Sequence, residues 1–121
     1  MKRYIEVDRQ RFCAALEAKG FKVDEEAYGE LVYEFQHRKD PTMFVKIFTS
    51  LPRNAGNARP AGADAIRVSL VFKNQKKSGG LFRTPRVYRT GTEEGVIERT
   101  LERAREAYAE ANRRWEVFKG R

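Results

Sequence analysis

Between Ile97 and Phe118 an apolar or small residue recurs at steps of 4, 3, 4, 3, 4 and 3: Ile97, Leu101, Ala104, Tyr108, Ala111, Trp115, Phe118. This is the period of an α-helix with one apolar seam, and the positions between are mostly Glu and Arg. Such a helix is stable only when the seam lies on another apolar surface, so whatever precedes it must supply one. Thr90 and Glu93 stand at capping-box spacing, with Thr92 as an alternative cap. A helix of about 27 residues runs roughly 40 Å, whereas five-residue strands span about 17–20 Å. The far end, at Trp115 and Phe118, is therefore expected to overhang and to offer a contact for a second copy of the chain.

The surface for the seam comes from segments of period two. Leu31, Tyr33 and Phe35 alternate with Val32, Glu34 and Gln36, and after the turn His37–Thr42 a second strand runs over Met43–Leu51. Met43, Val45, Ile47, Thr49 and Leu51 share one of its faces; Phe44, Lys46, Phe48 and Ser50 share the other. Both faces hold large apolar residues, so this strand is expected to lie centrally. Ile66, Val68, Leu70 and Phe72 form the core face of a third strand, opposite Arg67 and Lys73. A fourth, at about 81–89, contains Pro85, which donates nothing to a ladder and makes it an edge or a broken strand. Before the hairpin, Asp8 caps a first helix over about 9–19 that Gly20 ends, and Asp24-Glu25-Glu26 reads as a solvated acidic turn. The expected fold is α+β in one domain, 1–121: a short N-terminal helix, a three- to four-stranded antiparallel sheet, and a long C-terminal amphipathic helix packed across one sheet face.

Charge is distributed unevenly along this framework. Residues 1–52 hold nine Lys or Arg against nine Asp or Glu, and residues 92–121 hold seven against seven; residues 53–91 hold nine against Asp64 alone. The formal net charge of +8 thus sits in the middle third. A concentrated cationic surface answers to a polyanion, because each neutralised phosphate releases condensed counterions. The expected contacts are Arg53, Arg59, Arg67, Lys73, Lys76, Lys77, Arg83, Arg86 and Arg89, with Tyr88 placed among them to stack a base. Tyr33, Phe44 and Phe48 are further rings that either stack bases or pack in the core. Arginine outnumbers lysine six to three in this block, which suits bidentate phosphate contacts. The loop 52–63, rich in Pro, Gly and Asn, is long enough to expect a functional part for Arg53 and Arg59.

Catalytic chemistry has little material. His37 is the sole histidine, reads as a solvated loop residue, and builds neither a triad nor a histidine metal site. Cys13 is the sole cysteine, which excludes an internal disulfide and a cysteine-ligated zinc, and it is expected to pack. Lys76-Lys77-Ser78-Gly79-Gly80 lacks the order of a phosphate-binding loop. Glu34, Asp40, Lys46 and Asp64 are the only set from which a carboxylate-metal nuclease site is drawn, without specific spacing. No cofactor is expected. With no apolar run of membrane-spanning length, no membrane partner is expected and a cytoplasmic location is.

Two layouts carry a resemblance to known families. The hairpin Leu31–Leu51, the strand Ala65–Phe72, a basic loop, and the Glu-Arg-Ala helix from Glu98 to Arg114 resemble the core of the ring-forming single-strand annealing recombination proteins. The resemblance covers about 30–114 and implies single-stranded DNA along a basic groove, strand annealing, and subunits packed side by side. The order helix, three antiparallel strands, helix also resembles the double-stranded-RNA-binding domain, but the basic run that opens that family's last helix is replaced here by Glu93-Glu94. The expected function is that of a small non-enzymatic nucleic-acid-binding protein with a preference for single-stranded DNA. The alternatives are a protein-interaction or inhibitor module of a mobile element that docks an acidic protein surface, and, third, a metal-dependent nuclease.

Overall fold

The computed structural model describes residues 4–54, 65–72 and 82–119, with the side chains of 118 and 119 excepted. The elements in chain order are α1 (Arg9–Ala18), β1 (Lys22–Val23), β2 (Glu30–Gln36), β3 (Met43–Pro52), β4 (Ala65–Phe72), β5 (Phe82–Arg83), β6 (Val87–Tyr88) and α2 (Glu93–Lys119). The sheet is antiparallel in the order β1-β2-β3-β4-β5, with β6 also paired to β4. The class is therefore α+β, with two helices on one face of the sheet. No helix among the described residues is long and apolar enough to cross a membrane.

Local chemistry places each boundary. The Asp8 carboxylate accepts the Arg11 N–H at 2.9 Å and opens α1. Gly20 closes it at φ +91°, where a Cβ would stand 3.0 Å from a Phe35 ring carbon, so both backbone and space demand glycine. Of the two threonines that could cap α2, Thr92 does so, its hydroxyl accepting the Gly95 N–H at 3.0 Å. Pro85 breaks the fourth expected strand into β5 and β6, and Lys22–Val23 adds a short edge strand beside β2. On β3, Ser50 has a left-handed φ of +62° at an irregularity in its pairing with β2. The Thr49 hydroxyl donates to Leu31 O at 2.6 Å, the Ser50 hydroxyl donates to Ala65 O, and Glu30 accepts the Ser50 N–H at 2.9 Å. Side chains thus take over the backbone groups that the irregularity frees.

The core lies between this sheet and the helices: Leu31, Tyr33, Met43, Val45, Ile47, Ile66, Val68 and Leu70 from the strands, Phe12 and Leu16 from α1. The buried stripe of α2 is not the large-residue seam. It runs Val96, Thr100, Ala104, Ala107, Ala111, four of them with no exposed surface and Ala104 nearly so. Ile97, Leu101, Tyr108 and Trp115 are half-buried beside it. Small residues let the helix approach the sheet closely, and the large ones close its sides. Trp115 accordingly does not overhang: its ring packs against His37, with centroids 6.5 Å apart. Phe118 lies outside the described side chains.

Two expected surface groups are interior. His37 is 3% exposed; its Nδ1 accepts the Asp40 N–H at 3.0 Å, which places the ring proton on Nε2, 2.8 Å from Asn112 Oδ1. It ties the β2–β3 turn to α2 and is not a solvated loop residue. Asp24 is also buried, because it takes the Lys46 ammonium at 2.7 Å. Cys13 packs half-buried against the core.

Two tests follow from this packing. Ala107→Leu inserts three carbons where the helix touches the sheet and should cost about 1–3 kcal/mol in urea unfolding, with Ala109→Leu, on the exposed side of the same turn, as the near-neutral comparison. Burial pushes the Tyr33 phenol far above its ordinary range, with further upward contributions from the neighbouring Cys13 thiol and Glu17 carboxylate. Above about pH 10 the unfolded chain has released this proton while the folded protein keeps it, so Tyr33 makes stability fall as pH rises, by about 1.4 kcal/mol per pH unit. Chemical unfolding measured from pH 9 to 11.5 should show a shallower decline in Tyr33→Phe than in the unaltered chain; equal slopes would contradict this.

Candidate functional site

Burying Ile66, Val68 and Leu70 under α2 obliges Arg67, Ser69 and Val71 to face the other way, since a strand alternates. The registers extend that outward face across the sheet. Lys22 stands opposite Glu34, Glu34 opposite Lys46, Lys46 opposite Ser69, and Ser69 opposite Arg83. The adjoining row runs Val32, Phe48, Arg67.

Charge is balanced at one side of this face and not at the other. Towards β1 and β2, Lys46 sits 2.7 Å from Asp24 and 3.9 Å from Glu34. Arg67 donates to Glu30 at 2.9 Å, and its guanidinium carbon lies 4.8 Å from the centre of the Phe48 ring. Arg53 reaches Glu25 at 3.1 Å and also donates to the Ala27 and Asp24 carbonyls. Towards β5 the pattern changes: Arg83 and Arg86 are exposed and make no ion pair or hydrogen bond among the described residues. Both line a cleft of about 170 Å³ with Arg67, Phe48, Ser69 and Thr84. The cleft therefore has three guanidinium groups at its edge, a hydroxyl-bearing floor, and one aromatic ring. Among the described residues no carboxylate lines it.

Arg67, Arg83 and Arg86 are thus the expected contacts that the fold brings together. Arg53 is part of the sheet's own support at the end of β3. Arg89 is corrected outright: at 1% exposure it is the largest fully buried side chain among the described residues. The reason is again period two, since Val87 enters the core opposite Ile66 and Arg89 falls on the same side. Tyr88 falls on the other side, 38% exposed, with its ring centre 6.5 Å from that of Tyr4 and outside the cleft. Arg59, Lys73, Lys76 and Lys77 lie outside the described residues. Of the hairpin rings, Tyr33 is buried on the core face and Phe44 is 4% exposed, which leaves Phe48 in the cleft.

Of the carboxylate set, only Glu34, Asp40 and Lys46 are among the described residues. Glu34 does flank Lys46, but beside Asp24, while Asp40 is occupied by the backbone and hydroxyl of Thr42 and Asp64 lies outside the described residues. Among the described residues no three His, Cys, Asp or Glu side chains are grouped to hold a metal ion. What sequence reasoning missed is the neutralising role of Asp24, Glu25 and Glu30, whose partners lie 22 to 37 positions away. The only sequence signal for it is that these acids precede a strand pair bearing Lys46 and Arg67. Compared with models of known protein families, with curated proteins and with solved structures, the chain matches none, and the charges and contacts of this face are what a functional reading has to stand on.

Proposed function

We propose that the chain is a small non-enzymatic nucleic-acid-binding protein that holds the phosphates of a single strand against the outer face of β4 and β5. The observation that carries this reading is the pair Arg83 and Arg86, exposed and without partners among the described residues, beside a third guanidinium in a cleft that no described carboxylate lines. Guanidinium forks match phosphate oxygens, and two that carry no ion pair among the described residues give up none of those on binding. Arg67 differs, because it exchanges Glu30 for the ligand. Its position over Phe48 supports a single strand over a duplex: a splayed base can stack on that cation–ring pair, whereas bases within a duplex are already stacked. The basic residues of 55–64 and 73–81 would add their charge to the same term. Strand annealing, the activity implied by the layout of the sheet and last helix, belongs to this proposal as its consequence.

Fluorescence anisotropy with a labelled single-stranded oligonucleotide, the matched duplex and an RNA of the same sequence tests the reading at about 50 and 200 mM salt. Affinity should fall by orders of magnitude across that range. The double variant Arg83→Glu, Arg86→Glu should bind at least about tenfold more weakly and flatten the salt slope by about 1.4, two contacts at roughly 0.7 each for single strands. Its thermal unfolding should be unchanged, because neither side chain has a structural partner to lose among the described residues. Unaltered affinity in that variant would refute the site. No binding to any of the three nucleic acids at the lower salt would refute the function and favour an acidic protein surface as the partner.

A further inference from the structure

On the opposite side of the sheet from Arg83 and Arg86, a crevice of about 480 Å³ opens between α2, β2 and the turn after α1. That volume lies within the roughly 300–1,000 Å³ typical of small-molecule sites. Its floor is apolar and largely aromatic. Phe21 and Phe35 pack with ring centres 5.4 Å apart, Phe35 meets Tyr108 edge-on at 5.5 Å and 84°, and Leu101 lies alongside.

The polar groups of the crevice are of one kind. Lys19, Arg38 and Arg105 line it, and among the described residues no carboxylate does. Arg105 is held by Glu102 at 2.9 Å, but Lys19 and Arg38 make no ion pair among the described residues. The Tyr108 hydroxyl accepts the Arg38 N–H at 3.4 Å, and its own proton has no acceptor among the described residues. The Asn112 carbonyl oxygen is taken by the Nε2–H of His37, whose tautomer is fixed by the Asp40 N–H. This leaves the amide N–H groups of Asn112 as its offering to a ligand. Arg38 of the β2–β3 turn, with Tyr108 and Asn112 one turn of α2 apart, thus offers with them a cation, a hydroxyl proton and an amide as donors to one crevice.

We propose that this crevice binds a small aromatic carboxylate, its ring on Phe35, Leu101 and Tyr108 and its carboxylate received by Arg38, Tyr108 and Asn112. Donors without matching acceptors select an anion, and the ring-lined floor selects a flat apolar body. The site is independent of the nucleic-acid face.

The test titrates the full chain with 1-naphthylacetate and with its neutral isostere 1-naphthylacetamide, followed by ¹H–¹⁵N correlation spectra and calorimetry. The acetate should bind saturably, shift the amides of Arg38, Ala109 and Asn112, and bind at least about tenfold more tightly than the acetamide, the equivalent of one favourable charge contact. Ala109→Glu places an acid at the rim on an exposed helix position. It should weaken the acetate several-fold and leave the acetamide unchanged. Equal affinities for the two compounds, shifts confined to other residues, or an Ala109→Glu protein that binds the acetate as before would each overturn the proposal.

Discussion

The close seating of α2 on β3 and β4 through Val96, Thr100, Ala104, Ala107 and Ala111 decides most of what this molecule presents to its surroundings. A helix with bulky residues in that stripe would stand farther from the sheet, and the flanking side chains would no longer reach it. Because the contact fixes which face of the sheet is interior, it also fixes, through strand alternation, that Arg67 points outward and that Arg89 does not. One packing interface therefore sets the charge pattern of the opposite surface, on the far face of the same sheet.

How much of this was legible in the chain depends on the range of the interaction that decides each feature. The α+β class, the extents of α1, β2, β3, β4 and α2, and the break at Pro85 rest on local periodicity, capping and backbone chemistry, and these are present in the sequence within a few residues. The inward stripe of α2 was legible only in part: Ala104 and Ala111 belong to the expected seam and are buried, whereas Ile97, Leu101 and Tyr108, with the larger hydrophobic signal, give way to Val96, Thr100 and Ala107 one position before them. His37 and Asp24 read as surface residues because each is surrounded by polar neighbours in sequence; their partners Asn112 and Lys46 are distant and become neighbours only on folding.

The candidate site shows the same division. Counting charges located the basic block but weighted all of its members alike. The folded protein separates them into three kinds: cations spent on internal acids, as with Arg53 and Arg67; a cation enclosed in the interior, Arg89; and cations left without partners among the described residues, Arg83 and Arg86. Only the third kind adds to ligand affinity without first losing something. The aromatic crevice under α2 was invisible for a related reason, since its donors come from the turn after α1, the β2–β3 turn and α2, and no segment of the chain carries the pattern alone.

The N-terminal segment is tied to the C-terminal part of the chain: Ile5 N–H donates to Arg89 O at 2.7 Å, and Asp8 N–H donates to Glu93 at 3.2 Å, at the mouth of the last helix. Both the lid of the core and the anchor of the first helix are thus made after the sheet strands β2, β3 and β4. During synthesis the sheet emerges with Met43, Val45, Ile47, Ile66, Val68 and Leu70 uncovered, and it stays so until α2 has left the ribosome. The nascent chain passes through a stage in which its most apolar surface is complete and unprotected, the condition under which chains associate wrongly or recruit chaperones. A sheet covered by an element made after it gains its cover in one step, and the charged outer surface of α2 arrives together with that cover.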